Sequence, residues 1–331
     1  MLLKKIRIYF KLARLHSAVL SGLAPVCTAA AVGVSLILQH YLELFLIGFL
    51  FHIYLFVLNE VCDVEIDRTS NNLTGKPLVD GTISLRNAKL IVFSSAILIF
   101  ILTIFFFIEQ APILIAICAI ALFLGGLYDY LGKWFPHADY FISLMIFFVA
   151  LYGGFSVSNE LSIFVFIIAF LGLFQTLINN ITAGLKDVDH DYFKGGLSTP
   201  LRLGVKVDKE RFIVSNGFIA YISVLKIIHI SLTISPFLFN LMAFESWQFF
   251  IVIILIVIAV FFLAKFLTIE KFNREKIMRA IGFHEMFSFM VIPFLLLGYI
   301  GYEAAILLIF LPVIWLGVFL KLIYGRLMPE I

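Results

Sequence analysis

Three polar side chains, Asn59, Asp63 and Asp67, follow one another at intervals of four residues at the end of a long apolar run. On a continuing helix this spacing puts all three on one face. Carboxylates stacked in this way repel one another unless a cation sits between them, and hard oxygen ligands suit Mg2+. Glu65 falls on the opposite face, toward solvent or a basic partner. A second apolar run leads into Asp187 and Asp191, again four apart, with Asp189 pointing away. Mg2+ usually keeps several waters and is held by one or two carboxylates plus substrate phosphates. Two such helix ends facing each other could hold a pair of Mg2+ ions around one diphosphate. A lone Asp-x-x-x-Asp at a helix end is commonly a solvated pair, as Glu109, Glu160 and Glu303 are expected to be at theirs. Two copies, each at the end of an apolar run and each opening a loop of about 30 residues, argue for a site.

Basic residues supply the second ingredient. Arg68, Lys76 and Arg86 follow the first cluster, Lys194 and Arg202 follow the second, and Lys133 lies between them. Lys and Arg can take the diphosphate oxygens that metals leave free. Any one of them also reads as an ordinary loop charge beside a membrane. Lys226 and His229 share a face of the seventh apolar segment, a pattern that suits snorkelling or pairing with another helix.

The elements that must position these residues are set by composition. Of 331 residues, 63% are hydrophobic and only 14% charged, which excludes a soluble globular or disordered chain. Long unbroken apolar runs, rather than alternation, exclude a transmembrane β-barrel. Ten apolar segments stand out, at 18–38, 41–58, 88–108, 112–128, 139–158, 161–181, 212–234, 246–268, 283–300 and 303–322. The last two are separated only by Gly301 and Tyr302, as a tight hairpin or one broken helix. Alternate connections, with the helix ends beside them, carry 23 of the 24 Lys and Arg residues, and the other connections carry none. The positive-inside rule puts the charged set in the cytoplasm, with both termini and both acidic clusters. The expected fold is an all-α polytopic transmembrane bundle of nine or ten spans. Cys27, Cys62 and Cys118 form neither a disulfide framework nor a zinc motif. The basic residues follow membrane topology and form no stripe, so no nucleic-acid partner is expected.

The two clusters and the loops after them resemble the UbiA family of intramembrane prenyltransferases. The first signature is Asn59-x-x-x-Asp63-x-x-x-Asp67-Arg68 followed by Gly75-Lys76-Pro77-Leu78-Val79-Asp80-Gly81-Thr82-Ile83-Ser84. The second is Asp187-x-x-x-Asp191 followed by Gly196-Leu197-Ser198-Thr199-Pro200-Leu201-Arg202-Leu203-Gly204. The resemblance covers roughly residues 10–300. Two departures stand out. The usual Asn-Asp opening is Asn59-Glu60 here, and the Tyr-x-x-x-Lys often found after the fourth helix is replaced by Tyr128-Asp129-Tyr130 with Lys133, at spacings of five or three.

The resemblance implies one domain over 1–331, a bundle around a central cavity with the loops 59–87 and 182–211 as a cap. It implies a prenyl diphosphate donor, a Mg2+ cofactor held by Asn59, Asp63, Asp67, Asp187 and Asp191, and diphosphate contacts from Asn59, Arg68, Lys76, Lys133, Lys194 and Arg202. Tyr128 and Tyr130 are the aromatic faces available to an allylic cation. The acceptor would be a small aromatic quinone precursor or lipid precursor, and the donor's tail would lie in an apolar tunnel open to the bilayer. Two other readings stand beside this one. A UbiA-type terpene cyclase would capture the cation internally, although such relatives often lose the residue that is Asp63 here. A membrane transporter would need its acidic groups near mid-membrane between broken helices.

Overall fold

The computed structural model describes residues 2–68, 75–132, 135, 137–189, 198–208 and 211–325. The sequence expectations for Lys133, Asp191 and Lys194 lie outside the described residues. The chain is helical almost throughout. In order the helices are α1 Leu2–Leu12, α2 Ala18–Ala31, α3 Leu38–Arg68, α4 Leu85–Phe106, α5 Ala111–Leu131, α6 Asp139–Phe155, α7 Ile163–Ala183, α8 Asn216–Leu238, α9 Ser246–Leu267, α10 Arg274–Phe289 and α11 Val291–Tyr324.

Among the described residues, seven helical runs are long and apolar enough to cross a membrane: α3, α4, α5, α7 with the turn after it, α8, α9, and the combined run Arg274–Tyr324. The first and fifth expected segments are helical but shorter, at Leu15–Ala31 and Asp139–Phe155. Each of the ten expected segments overlaps helix, and seven runs reach spanning length, the last of them taking in both the ninth and the tenth segment. The ninth segment begins in α10 and continues into α11, which also holds the tenth and is interrupted at Gly301 with φ 74° and ψ 172°. A side chain rarely tolerates that φ, and glycine does. Large apolar side chains line the outer face of α4, where Phe93, Ile97, Ile101 and Phe105 are exposed, and of α9, where Phe250, Ile254, Val257 and Phe261 are exposed. The spacing of three to four residues makes each a continuous stripe suited to lipid.

The chain divides into two compact units. The first comprises Met1–Tyr130, Phe148–Leu161 and Leu307–Glu330. In it α3 packs against α2 on one side and α4 on the other. A core of Leu12, Leu15, Val57, Val64, Leu78 and Ile83 joins the N-terminal arm, the end of α3 and the segment leading into α4. Trp315 Nε1 donates to the Leu15 carbonyl at 2.7 Å, tying the end of the chain to its start.

The second unit comprises Leu131–Phe147 and Ser162–Ile306, with Ile331. Its core joins Leu177, Ile181, Leu185 and Val188 to Phe212, Phe218, Phe266 and Ile277. α9 and α10 lie against each other, and α7 packs on α8 and α10.

Four boundaries differ from the sequence expectation. The first segment was expected to run to 38, but α2 ends at Ala31 and the chain turns at Gly33 with φ 81°. The seventh was expected from 212, yet Lys206–Asp208 and Arg211–Ile213 form a short antiparallel hairpin, and α8 starts at Asn216 behind the cap of Ser215. Phe212 is buried there while Arg211 and Ile213 are exposed, a strand's alternation that an apolar run conceals. The connection 269–282 is helical from Arg274, because Asn273 caps the helix by accepting from the Lys276 backbone N–H at 2.9 Å. After α7 the chain tightens into a 3-10 turn, Gly184–Asp187, instead of continuing as regular α-helix.

Candidate functional site

α3 runs unbroken to Arg68, so Asn59, Asp63 and Asp67 lie on one face of one helix. No glycine or proline interrupts residues 49–68, and Arg68 closes the last turn with an ion pair to Glu65 at 3.0 Å. A cation suits that end of the helix dipole. Glu65 thus meets a basic partner on the face away from the cluster, as expected.

Cations gather on the other face. Lys76 Nζ lies 2.7 Å from Asp67 Oδ2 and 3.5 Å from Glu60 Oε2. Arg14 Nη2 lies 2.6 Å from Glu60 Oε1 and 3.5 Å from Asn59 Oδ1. Glu60 and Asp67 are both buried, at 6% and 5% exposure, so these pairings hold charges that would otherwise be costly to desolvate.

Lys76 is placed by the segment around it. Leu78 and Ile83 are buried against the end of α3. The Asp80 N–H donates to the Lys76 carbonyl at 2.9 Å, and the Ile83 N–H to the Pro77 carbonyl at 3.1 Å. Ser84 then caps α4 by accepting from the Asn87 N–H. Two apolar anchors and a turn therefore fold the chain back over the helix tip, which carries the lysine onto the acids.

Arg14 sits between α1 and a single 3-10 turn, with φ 46° and ψ 44°. This left-handed conformation is uncommon for a residue with a side chain and typically costs about 1–3 kcal/mol. Its guanidinium contacts and the bond from the Ser17 hydroxyl to its carbonyl at 3.0 Å hold it there. The opposite wall is α5, where Asn59 Nδ2 donates to Asp129 Oδ1 at 3.1 Å.

Asp63, Asp67, Glu60 and Asp129 offer carboxylate oxygens and Asn59 an amide oxygen, which is the donor set a hard divalent cation takes. Among the described residues, no group of three or more His, Cys, Asp or Glu side chains is disposed to hold a metal by itself.

The second motif belongs to the second unit. Ile181, Leu185 and Val188 turn into the core, which leaves Asp187 and Asp189 outside it. Asp187 is half exposed and lies 4.0 Å from Lys186. Asp189 pairs with Arg274 Nη2 at 2.9 Å, so it is occupied structurally. The one-turn helix Thr199–Arg202 is tied down by a bond from Thr199 Oγ1 to Asp139 Oδ2 at 2.8 Å.

Of the residues expected at the site, the structure brings Asn59, Asp67 and Lys76 into one bonded cluster, with Asp63 on the same helix face. Tyr130 is 76% exposed, and Arg202 is exposed on its short helix. Arg68 is engaged with Glu65. Arg14, Glu60 and Asp129 enter unexpectedly. In the sequence Glu60 is only a departure from the usual Asn-Asp opening, Asp129 only the residue between Tyr128 and Tyr130, and Arg14 indistinguishable from other basic residues of the arm. Lys226 is 3% exposed and donates to Ser288 Oγ at 2.8 Å. It pairs with another helix rather than snorkelling.

A sequence profile of the UbiA prenyltransferase family matches residues 19–288. A comparison with curated protein sequences gives no match. Several solved structures share the fold, among them the following three. A digeranylgeranylglyceryl phosphate synthase is 20% identical with a TM-score of 0.67, covering 90% of this chain and 100% of its own. An apo UbiA homologue from Aeropyrum pernix K1 is 15% identical with a TM-score of 0.65, covering 88% and 97%. A UbiA homologue from Archaeoglobus fulgidus bound to DMAPP and Mg2+ is 22% identical with a TM-score of 0.61, covering 86% and 98%. The family profile spans most of the chain and includes both acidic motifs, so this multi-pass membrane protein belongs to the UbiA prenyltransferase family.

Proposed function

We propose that the protein transfers an isoprenyl group from a prenyl diphosphate to a small acceptor within the membrane, in a Mg2+-dependent reaction. The observation that carries this is the end of α3, where the acids of one helix face meet Lys76 and Arg14. A similar fold from Archaeoglobus fulgidus is bound to DMAPP and Mg2+, which supports the donor and the metal. We read the acceptor as an aromatic quinone precursor or a lipid precursor, the residues 1–331 as one catalytic domain, and the motif side as cytoplasmic, following the charge asymmetry.

In this reading Asp63, Asp67, Asp187 and Asp191 are metal ligands, and Asn59 adds a neutral oxygen. Bound Mg2+ supplies positive charge to the diphosphate as it departs. Lys76 has three N–H donors, and Asp67 and Glu60 occupy at most two. The third is available to a diphosphate oxygen as negative charge grows there. Arg14 holds Glu60 and limits the net negative charge that the donor meets. Lys133, Lys194, Arg202 and Arg68 are further candidates for phosphate oxygens. Tyr128 is the candidate aromatic face for the allylic cation, with Tyr130 available only if its exposed ring is covered when substrate binds. Buried apolar walls exclude water, so that the acceptor rather than water captures the cation.

The test incubates purified protein with Mg2+, labelled prenyl diphosphates of several lengths and a panel of aromatic and lipid acceptors, with product mass as readout. Prenylated acceptor is the expected result. A cyclised hydrocarbon would mark the cyclase reading, and absence of Mg2+-dependent diphosphate release with every donor would overturn the enzyme reading.

A further inference from the structure

We propose that Asp129 is an additional cation-holding residue of this protein, using one carboxylate oxygen to set the Asn59 amide and the other to take a divalent cation or one of its waters. The inference rests on the metal-dependent function proposed above.

Asp129 lies near the end of α5 and is 6% exposed. Oδ1 accepts from Asn59 Nδ2 at 3.1 Å, which leaves Asn59 Oδ1 as the amide's acceptor. Oδ2 is buried and, among the described residues, has no hydrogen-bond partner. A buried carboxylate oxygen without a donor is costly, and native structures rarely keep one without a use. Its surroundings make the cost larger. Asp63 is within electrostatic reach and repels it when both are ionised, and among the described residues Arg14 opposes that repulsion. Arg14 already spends its closest contact on Glu60 at 2.6 Å. A divalent cation would relieve the repulsion between Asp63 and Asp129 and give the orphaned oxygen a partner. Hard carboxylate oxygens are what Mg2+ or Mn2+ accepts. Asn59, itself a candidate ligand, is oriented by the same carboxylate, so Asp129 acts on the cation through both of its oxygens.

The experiment titrates Mn2+ into full-length protein in nanodiscs with an unreactive prenyl thiodiphosphate, and reads bound Mn2+ by electron paramagnetic resonance. It compares wild type, Asp63→Ala and Asp129→Asn. Asp129→Asn keeps an acceptor for Asn59 and the side-chain volume while removing the charge. The expected result is at least a tenfold weaker Mn2+ affinity, together with a melting temperature in EDTA that is equal to or above wild type. A purely structural role would instead lower the melting temperature and leave Mn2+ affinity unchanged, and that outcome overturns the assignment. If Asp129→Asn does not fold, Asp129→Glu, which moves the carboxylate by one methylene, must weaken Mn2+ at least tenfold, and wild-type affinity there overturns it equally. Absence of Mn2+ binding in wild type defeats the proposed function as well. Binding that is lost in Asp63→Ala and kept in Asp129→Asn defeats only this inference.

Discussion

Lys76 Nζ sits 2.7 Å from Asp67 Oδ2 across nine residues of chain, with Glu60 Oε2 at 3.5 Å on its other side. One lysine thus neutralises parts of two buried acids at the tip of α3.

Lys76→Met should therefore do two things. It leaves Asp67 and Glu60 short of a partner, costing about 2 kcal/mol of stability. It also removes a donor to the leaving group, lowering kcat by about 100-fold or more. Thermal unfolding and initial rates with a saturating donor measure the two separately. Near-wild-type kcat would show that the lysine serves the fold alone.

Asp63→Ala should abolish Mg2+-dependent transfer, with a loss of at least about 1000-fold if the carboxylate holds the metal. The protein should still insert and fold, since Asp63 lies on a polar helix face outside the apolar core of α3. Activity is checked by product mass and folding by size-exclusion profile and melting. Full activity would remove the metal assignment.

Leu78→Ala tests whether loop placement matters apart from charge. Leu78 is 2% exposed and packs in the core that pins the Lys76 segment to α3. Truncation should cost about 2–4 kcal/mol. Because the anchor of Lys76 loosens, KM for the donor should rise in the folded fraction. Lower stability with unchanged KM would mean that the lysine finds its place without this anchor.

Lys226 and Ser288 give a prediction of opposite signs. Lys226 is buried, and among the described residues it has no ion pair. Lys226→Met should leave stability unchanged or raise it, because the lone buried cation is gone. Ser288→Ala should lower it by about 1–3 kcal/mol, because the cation remains and its hydroxyl is removed. Unfolding of both variants in the same detergent decides the matter. A Lys226→Met variant destabilised by more than its serine counterpart would mean that the ammonium has a partner or ligand of its own.

What could be read from sequence was local and periodic. The i, i+4, i+8 spacing of Asn59, Asp63 and Asp67 needs only helical geometry, and α3 supplies it without interruption. Apolar run length placed ten segments that each overlap helix, and the Gly301 break was marked by a residue suited to a φ of 74°. Hidden within an apolar run were the hairpin before α8, where tertiary burial of Phe212 overrides a helical reading, and the shortness of α2.

The partners of the acids belong to another level. Arg14 reaches Glu60 over 46 residues, and Asn59 reaches Asp129 over 70. No periodicity links such positions, because the contact depends on which helices pack together and on a left-handed turn at Arg14. Helix spacing therefore determined which oxygens share a face. Packing of α1, α5 and the 75–84 segment around α3 decided which charges meet them, because burial, unlike spacing, is a property of the whole chain.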